Sequence, residues 1–250
     1  MTDQTENKES RVADGAAGLF PRTSWALLDA ARGGGDVATS AFNEFARRYY
    51  RPVYAYIAAI LRDPGEAEDL AQGFFVAAIL SGRLLMRVDR ARGSFRPYLK
   101  QAIRNYVIDE LRKRGREQRH LLDESMQSDE SSDLLINRVP ANSPAPDTAF
   151  HTAWVQSLLE EALVKVQAIC ESKGQQAHFQ LFLGRYLSES SDPPSWRELG
   201  EAFGLDEKAA RSRTETVASH FRLVLRKMLI DEVGSELMAD EEIAALLALM

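Results

Sequence analysis

The stretch FRPYLKQAIRNYVIDELRKRGR, residues 95–116, decides how the rest of the chain is read. Phe95, Tyr98, Leu99, Ala102, Ile103, Tyr106, Val107 and Leu111 recur at the spacing that gathers apolar side chains on one face of an α-helix. The other side of that helix is basic. Between Arg90 and Arg119 stand ten Lys or Arg against three acids, Asp109, Glu110 and Glu117. The i,i+4 pairs Asp109–Lys113 and Glu110–Arg114 are expected to cancel part of this charge. A cationic helix interleaved with aromatics suits phosphates and unpaired bases. It equally suits a solvated face over a packed core, and the stretch alone leaves both readings open.

Towards the N-terminus the pattern stays helical. Phe42, Phe45, Tyr49, Val53, Tyr56, Ile57 and Ile60 line one face between Ser40 and Leu61, with Pro52 expected to kink or split that helix. Asp63-Pro64-Gly65-Glu66 reads as a helix start: Asp63 as cap, Pro64 in the first turn, Glu66 at the capping-box position. The helix that follows carries Leu70, Phe74, Ala77 and Ala78 on one face and ends near Ser81-Gly82. Residues 1–20 read as a flexible leader.

Towards the C-terminus the character changes. Residues 120–149 hold Asp123, Glu124, Asp129, Glu130, Asp133 and Asp147 against Arg138. Pro140, Pro144 and Pro146 forbid a continuous helix there, so the segment reads as an acidic, extended linker. A second helical region begins near Phe150 with Trp154, Val155, Leu158, Leu159, Ala162, Val166 and Ile169, then Phe179, Leu181, Phe182 and Tyr186. Ser195-Trp196-Arg197-Glu198 is a capping-box start. Phe203-Gly204-Leu205 forms a tight turn, Asp206 caps the next helix, and Gly200 permits close approach of the two. Two helices joined through such a turn make a helix-turn-helix candidate. The tail, Asp231–Met250, has six acids and no basic residue, and its apolar ending from Ile243 suggests a short docking helix.

The bulk numbers fit this picture. The chain has 250 residues, 45% hydrophobic and 27% charged, enough apolar material for real cores in one or two domains. The net charge of −6 does not exclude nucleic acid, because binding follows where charge sits. The single cysteine, Cys170, excludes an internal disulfide framework and fits a reducing cytoplasm. No stretch has the length of a membrane span. His120, His151, His178 and His220 show no metal-ligand spacing, and there is no glycine-rich phosphate loop or nucleophile motif. The expectation is therefore a non-enzymatic protein without a cofactor.

Four blocks together go further than any one. Phe45 with Tyr49-Tyr50-Arg51-Pro52-Val53-Tyr54 comes first, then Glu66-Ala67-Glu68-Asp69-Leu70-Ala71-Gln72-Gly73-Phe74-Phe75. Gly93-Ser94-Phe95-Arg96-Pro97-Tyr98-Leu99 and Asn105-Tyr106-Val107-Ile108-Asp109-Glu110-Leu111-Arg112-Lys113 complete the set. In order and spacing they resemble region 2 of the sigma-70 superfamily, and the two-domain build resembles its extracytoplasmic-function group. The resemblance is strong over about residues 40–119 and weaker over 150–230.

It implies an all-α fold of two small helical domains joined by an acidic flexible linker. A region 2 bundle occupies 21–119, the linker 120–149, a region 4 helix-turn-helix 150–230 and an acidic tail 231–250. It implies an alternative sigma factor that binds core RNA polymerase, recognises promoter −10 and −35 elements and promotes strand opening. Glu68, Asp69, Leu70 and Gln72 would dock on the clamp helices of the polymerase's largest subunit; the acids also suit a helix N-terminus. Arg90, Arg92, Gly93 and Ser94 would hold a flipped −10 base and its phosphates. Arg96, Lys100, Arg104 and Asn105 would track the single strand, and Arg112, Lys113, Arg114 and Arg116 would meet duplex phosphates. Lys208, Arg211, Ser212, Arg213 and Thr214 would read the −35 element. The arginines usual after this point in relatives are replaced by Glu215-Thr216-Val217-Ala218-Ser219-His220, and Arg213 stands where many helix-turn-helix sequences are apolar. Control would come from an anti-sigma factor, a kinase or the tail. Two other readings stay open: a helix-turn-helix regulator acting without polymerase, and a degenerate sigma-like interaction protein.

Overall fold

The computed structural model describes residues 27, 30, 31, 33, 35–61, 63–80, 95–121, 145–188 and 192–233. The leader, the loop bearing Arg90, Arg92, Gly93 and Ser94, most of the acidic linker and the tail from residue 234 lie outside these residues. Among the described residues the fold is all-α, without a strand. The helices are α1 (Gly35–Leu61), α2 (Pro64–Phe74), α3 (Phe95–Leu121), α4 (Pro146–Ser172), α5 (Gln176–Tyr186), α6 (Trp196–Ala202) and α7 (Glu207–Val233). A π-helical segment, Phe75–Leu80, continues α2.

α1 runs unbroken through Pro52, so of the two outcomes expected of the proline, a kink or a split, the split does not occur. The ring is buried, on the same side as Tyr49, Val53 and Tyr56, so packing on both sides of the proline holds one helix together. α2 starts as its sequence dictates. Asp63 Oδ1 accepts from the Glu66 amide at 2.9 Å, and Pro64 occupies the first turn. α4 starts at Pro146, inside the segment read as linker. The same residue that interrupts a helix interior is at home in a first turn, where its missing N–H has no intrahelical duty.

Phe45, Tyr49, Phe74, Phe95, Leu99, Ile103 and Val107 form the centre of the first half, all essentially without solvent contact. Phe45 lies 4.8 Å from Tyr49 and 5.8 Å, edge-on, from Phe95. This core does not stop at the linker. Phe150, Trp154, Leu158 and Ala162 of α4, with Leu225, Met228 and Leu229 of α7, belong to the same apolar cluster. The main seam is α1 against α4. Each such large side chain taken from water contributes about 2–3 kcal/mol. The rest of the second half packs around two smaller clusters, Val166, Cys170, Phe179, Phe182, Val217 and Ala218 in one and Leu181, Leu199 and Ala210 in the other.

The seam also carries charge. Arg48, only 7% exposed, reaches Glu161 of α4 at 3.3 Å and Glu44 of its own helix at 3.5 Å. Burial would lower the Arg48 pKa, but Glu161, Tyr49 and Glu232 together outweigh it and the net direction is up. Burial would likewise raise Glu161, but Arg48 and then Lys165 hold its carboxyl below the ordinary value. The Tyr49 hydroxyl donates to buried Glu232 at the end of α7. At the rim, Arg51 meets Glu160 at 2.6 Å.

Candidate nucleic-acid interface

Gly73 positions α2 against α3. A Cβ there would meet the Tyr106 hydroxyl at 2.4 Å, so any larger residue makes that side chain shift. Tyr106 in turn packs edge-on against Phe74 at 5.6 Å. Glu66 ties the same helices together, pairing with Arg114 at 2.6 Å. That is a correction: the expected Glu110–Arg114 pair gives way to Glu66–Arg114, and Lys113 pairs with Glu110 one turn earlier rather than with Asp109. A neighbouring helix supplies a carboxylate that spacing within α3 cannot reveal.

Of the polymerase-facing candidates, Glu68, Asp69 and Gln72 are exposed on α2. Leu70 is 2% exposed and belongs to the core. Its apolar side chain anchors the helix and is not offered to a partner.

Arg96, Lys100 and Arg104 follow one another at i,i+4 along α3. They drift round the helix by only about 40° per step and span about 12 Å. Arg104, Asn105, Arg112, Lys113 and Arg116 are exposed, and Asn105 accepts from Gln101 at 2.9 Å. Arg96 and Lys100 are half-buried, and each meets a side chain of α4. The Arg96 guanidinium sits 3.9 Å above the Trp154 ring, and Lys100 pairs with Asp147. Beneath this contact a cleft of about 210 Å³ is lined by Tyr56, Ile60, Arg104, Ile108 and Asp147, among others. Burial and then Asp147 push the Tyr56 phenol up, with Arg104 opposing. Sequence reading assigned Trp154 only to a core and Asp147 only to a linker. Their meeting with α3 has no local signature; the acid just before an aromatic helix face is the one sign of it.

The helix-turn-helix geometry is present. Ser195 and Glu198 complete a reciprocal capping box, with the Ser195 amide donating to Glu198 at 2.8 Å. Gly204 has φ of 64°, and a Cβ on Gly200 would meet the Leu205 carbonyl oxygen at 2.6 Å. Asp206 accepts from the Ala209 amide at 2.6 Å to start α7. Lys208, Arg211 and Ser212 are exposed and share a shallow hollow with Glu215 and Thr216. Arg213 is half-buried, near enough to His178 to add to the burial that lowers that imidazole's pKa. Thr214 is fully buried. Helical phase turns it inward, so a base contact through Thr214 does not fit this packing.

No helix among the described residues is long and apolar enough to cross a membrane. Comparison with known proteins now has a geometry to attach to. Residues 45–117 match the family model for sigma-70 region 2. The chain is similar to the "ECF RNA polymerase sigma factor SigE" of Mycolicibacterium smegmatis, 27% identical over 141 residues, which cover 56% of this chain and 48% of that relative. The match thus spans about half the length of the curated relative. No solved structure matches the chain. The helices that bring Glu68 and Asp69 and the row Arg96–Lys100–Arg104 onto one core are those of the segment that matches sigma-70 region 2.

Proposed function

We propose that this chain is an alternative sigma factor that binds core RNA polymerase through α2 and holds the opened −10 strand of promoter DNA on α3. One observation carries the reading. Leu70 and Ala71 root α2 in the same core that holds α3, so the exposed acids of one helix and the exposed cations of the other are fixed in a single frame. Glu68, Asp69 and Gln72 suit basic groups on a protein partner. Arg104, Arg112 and Arg116, with Lys113, suit phosphates, whose counterions are released on binding. Arg90, Arg92, Gly93 and Ser94, which precede α3 in the sequence, are assigned to an unstacked base. Capturing such a base offsets an unstacking cost of a few kcal/mol, which is how strands open without ATP. Lys208, Arg211 and Ser212 contact the −35 element through a major groove.

The test is association with core polymerase. Glu68→Lys with Asp69→Lys removes binding while helicity by circular dichroism is kept; undiminished binding would overturn the reading. A second reading, a sigma-like protein that binds polymerase but no −35 element, draws on the buried Thr214 and on Glu215 beside the recognition residues. Run-off transcription with and without a −35 element separates the two.

A further inference from the structure

Between α1, α3 and the first turn of α4 lies the cleft of about 210 Å³. Part of its lining is apolar: Ile60 of α1 with Val107, Ile108 and Leu111 of α3. The rest is a set of donors. Tyr56 is only 6% exposed, yet its hydroxyl has no hydrogen-bond partner among the described residues. Asp147 and Arg104 both act on the charge of that phenol, so the hydroxyl lies at their end of the cleft. The Arg104 guanidinium is exposed and has no ion-pair partner among the described residues.

α4 adds to the same end. Ala145 supplies no side-chain cap, and its carbonyl accepts from the Ala149 amide at 2.9 Å. The Asp147 and Thr148 amides are therefore left without an acceptor, at a helix end that favours negative charge. The Asp147 carboxylate is already answered by Lys100. Water satisfies donors one by one, but it gives no reason for four aliphatic side chains to face the space those donors share.

We propose that this cleft binds a small monocarboxylic acid with a compact apolar body, branched or aromatic. The carboxylate accepts from the Arg104 guanidinium and the Tyr56 hydroxyl, and the body lies on Ile60, Val107, Ile108 and Leu111. An arginine fork matches a carboxylate in shape as well as charge. The volume is that of about seven waters, which admits a ring or short branched chain with its carboxylate and excludes a nucleotide. Neither polymerase nor DNA is needed, so the site stands or falls apart from the reading of α3 as a strand-binding helix.

Three probes test it on the full chain: benzoate, its neutral isostere benzamide, and acetate, which lacks the body. With carbon-13 isoleucine methyl groups, benzoate shifts the Ile60 and Ile108 resonances saturably, with a Kd on the order of 1 mM. Benzamide and acetate bind at least about tenfold more weakly, as loss of the charged hydrogen bonds or of the apolar contact requires. At about 10 mM, benzoate raises Tm by about 3–5 °C and acetate does not. Tyr56→Phe keeps the ring against Phe150, and Arg104→Gln changes an exposed side chain; each weakens benzoate about tenfold. Arg112→Gln, on the same helix but outside the cleft, leaves its affinity within about twofold.

Shifts that do not saturate, that centre on other isoleucines, or that benzamide matches at equal concentration overturn the site. A loss in Arg112→Gln equal to that in Arg104→Gln does the same. Methyl spectra without ligand check the fold of each variant. The contrast of benzoate with benzamide in the wild type decides the question even if Tyr56→Phe does not fold.

Discussion

A methyl group at position 73 has no room beside the Tyr106 hydroxyl, yet alanine is the better helix former by about 1 kcal/mol. The two effects separate cleanly. Gly73→Ala destabilises the chain by about 1–3 kcal/mol in urea denaturation, the usual range for overpacking. Tyr106→Phe removes the obstructing oxygen and leaves the ring carbon beneath it 3.6 Å from the added methyl, an ordinary contact. Added to Tyr106→Phe, Gly73→Ala is then neutral or stabilising; a loss as large as in the wild-type background would show that the clash lies elsewhere. Asp231 gives a prediction of opposite sign. Burial raises its carboxyl pKa, with Lys227 and Arg48 opposing, and one of its oxygens is enclosed without a hydrogen-bond partner. A raised carboxyl favours the folded state below its ordinary value, and that contribution is lost as pH rises through the folded value. Asp231→Asn accordingly raises Tm at pH 7, and its advantage fades on acidification.

At the scale of helices, what the sequence makes legible is what local chemistry decides. The starts of α2, α6 and α7 follow from Asp63, Ser195 and Asp206, each observed accepting the amide three residues on. Ser195→Ala costs about 1 kcal/mol of stability, as loss of a good cap does. Gly200→Ala costs more, about 2–3 kcal/mol, because the obstruction is a backbone carbonyl that cannot rotate aside. Thermal melts that rank these two in the reverse order would contradict the turn geometry. What stayed illegible is decided by elements far apart in the chain. The passage of α1 through Pro52 depends on packing against distant helices. The choice of Glu66 by Arg114 depends on how α2 lies on α3. The inward phase of Thr214 depends on the cluster beneath α7. The helix-turn-helix was readable as a frame, and which of its side chains face water was not.

At the scale of the whole molecule, the joint between halves is ionic as well as apolar. Removing Arg48 leaves Glu161 with Lys165 at 3.2 Å but without its partner across the seam, so Arg48→Met costs up to about 3 kcal/mol, the low end for breaking a buried pair. Arg48→Met with Glu161→Met recovers most of that in urea denaturation. The pH dependence has a fixed sign. Glu161 is held below its ordinary value of 4.5, so its contribution is present above that value and lost as pH falls through the folded one. Glu161→Gln flattens the acid limb of the stability curve; an unchanged limb would place the acid sensitivity at another carboxylate. One feature of the fold reaches beyond any single variant: a common interior, built from helices on either side of the acidic stretch, binds the halves without help from the peptide that links them. A chain severed by an engineered protease site between residues 122 and 144 therefore elutes as one particle with two polypeptides. Either piece expressed by itself, with half an interior facing water, is insoluble until the other is supplied.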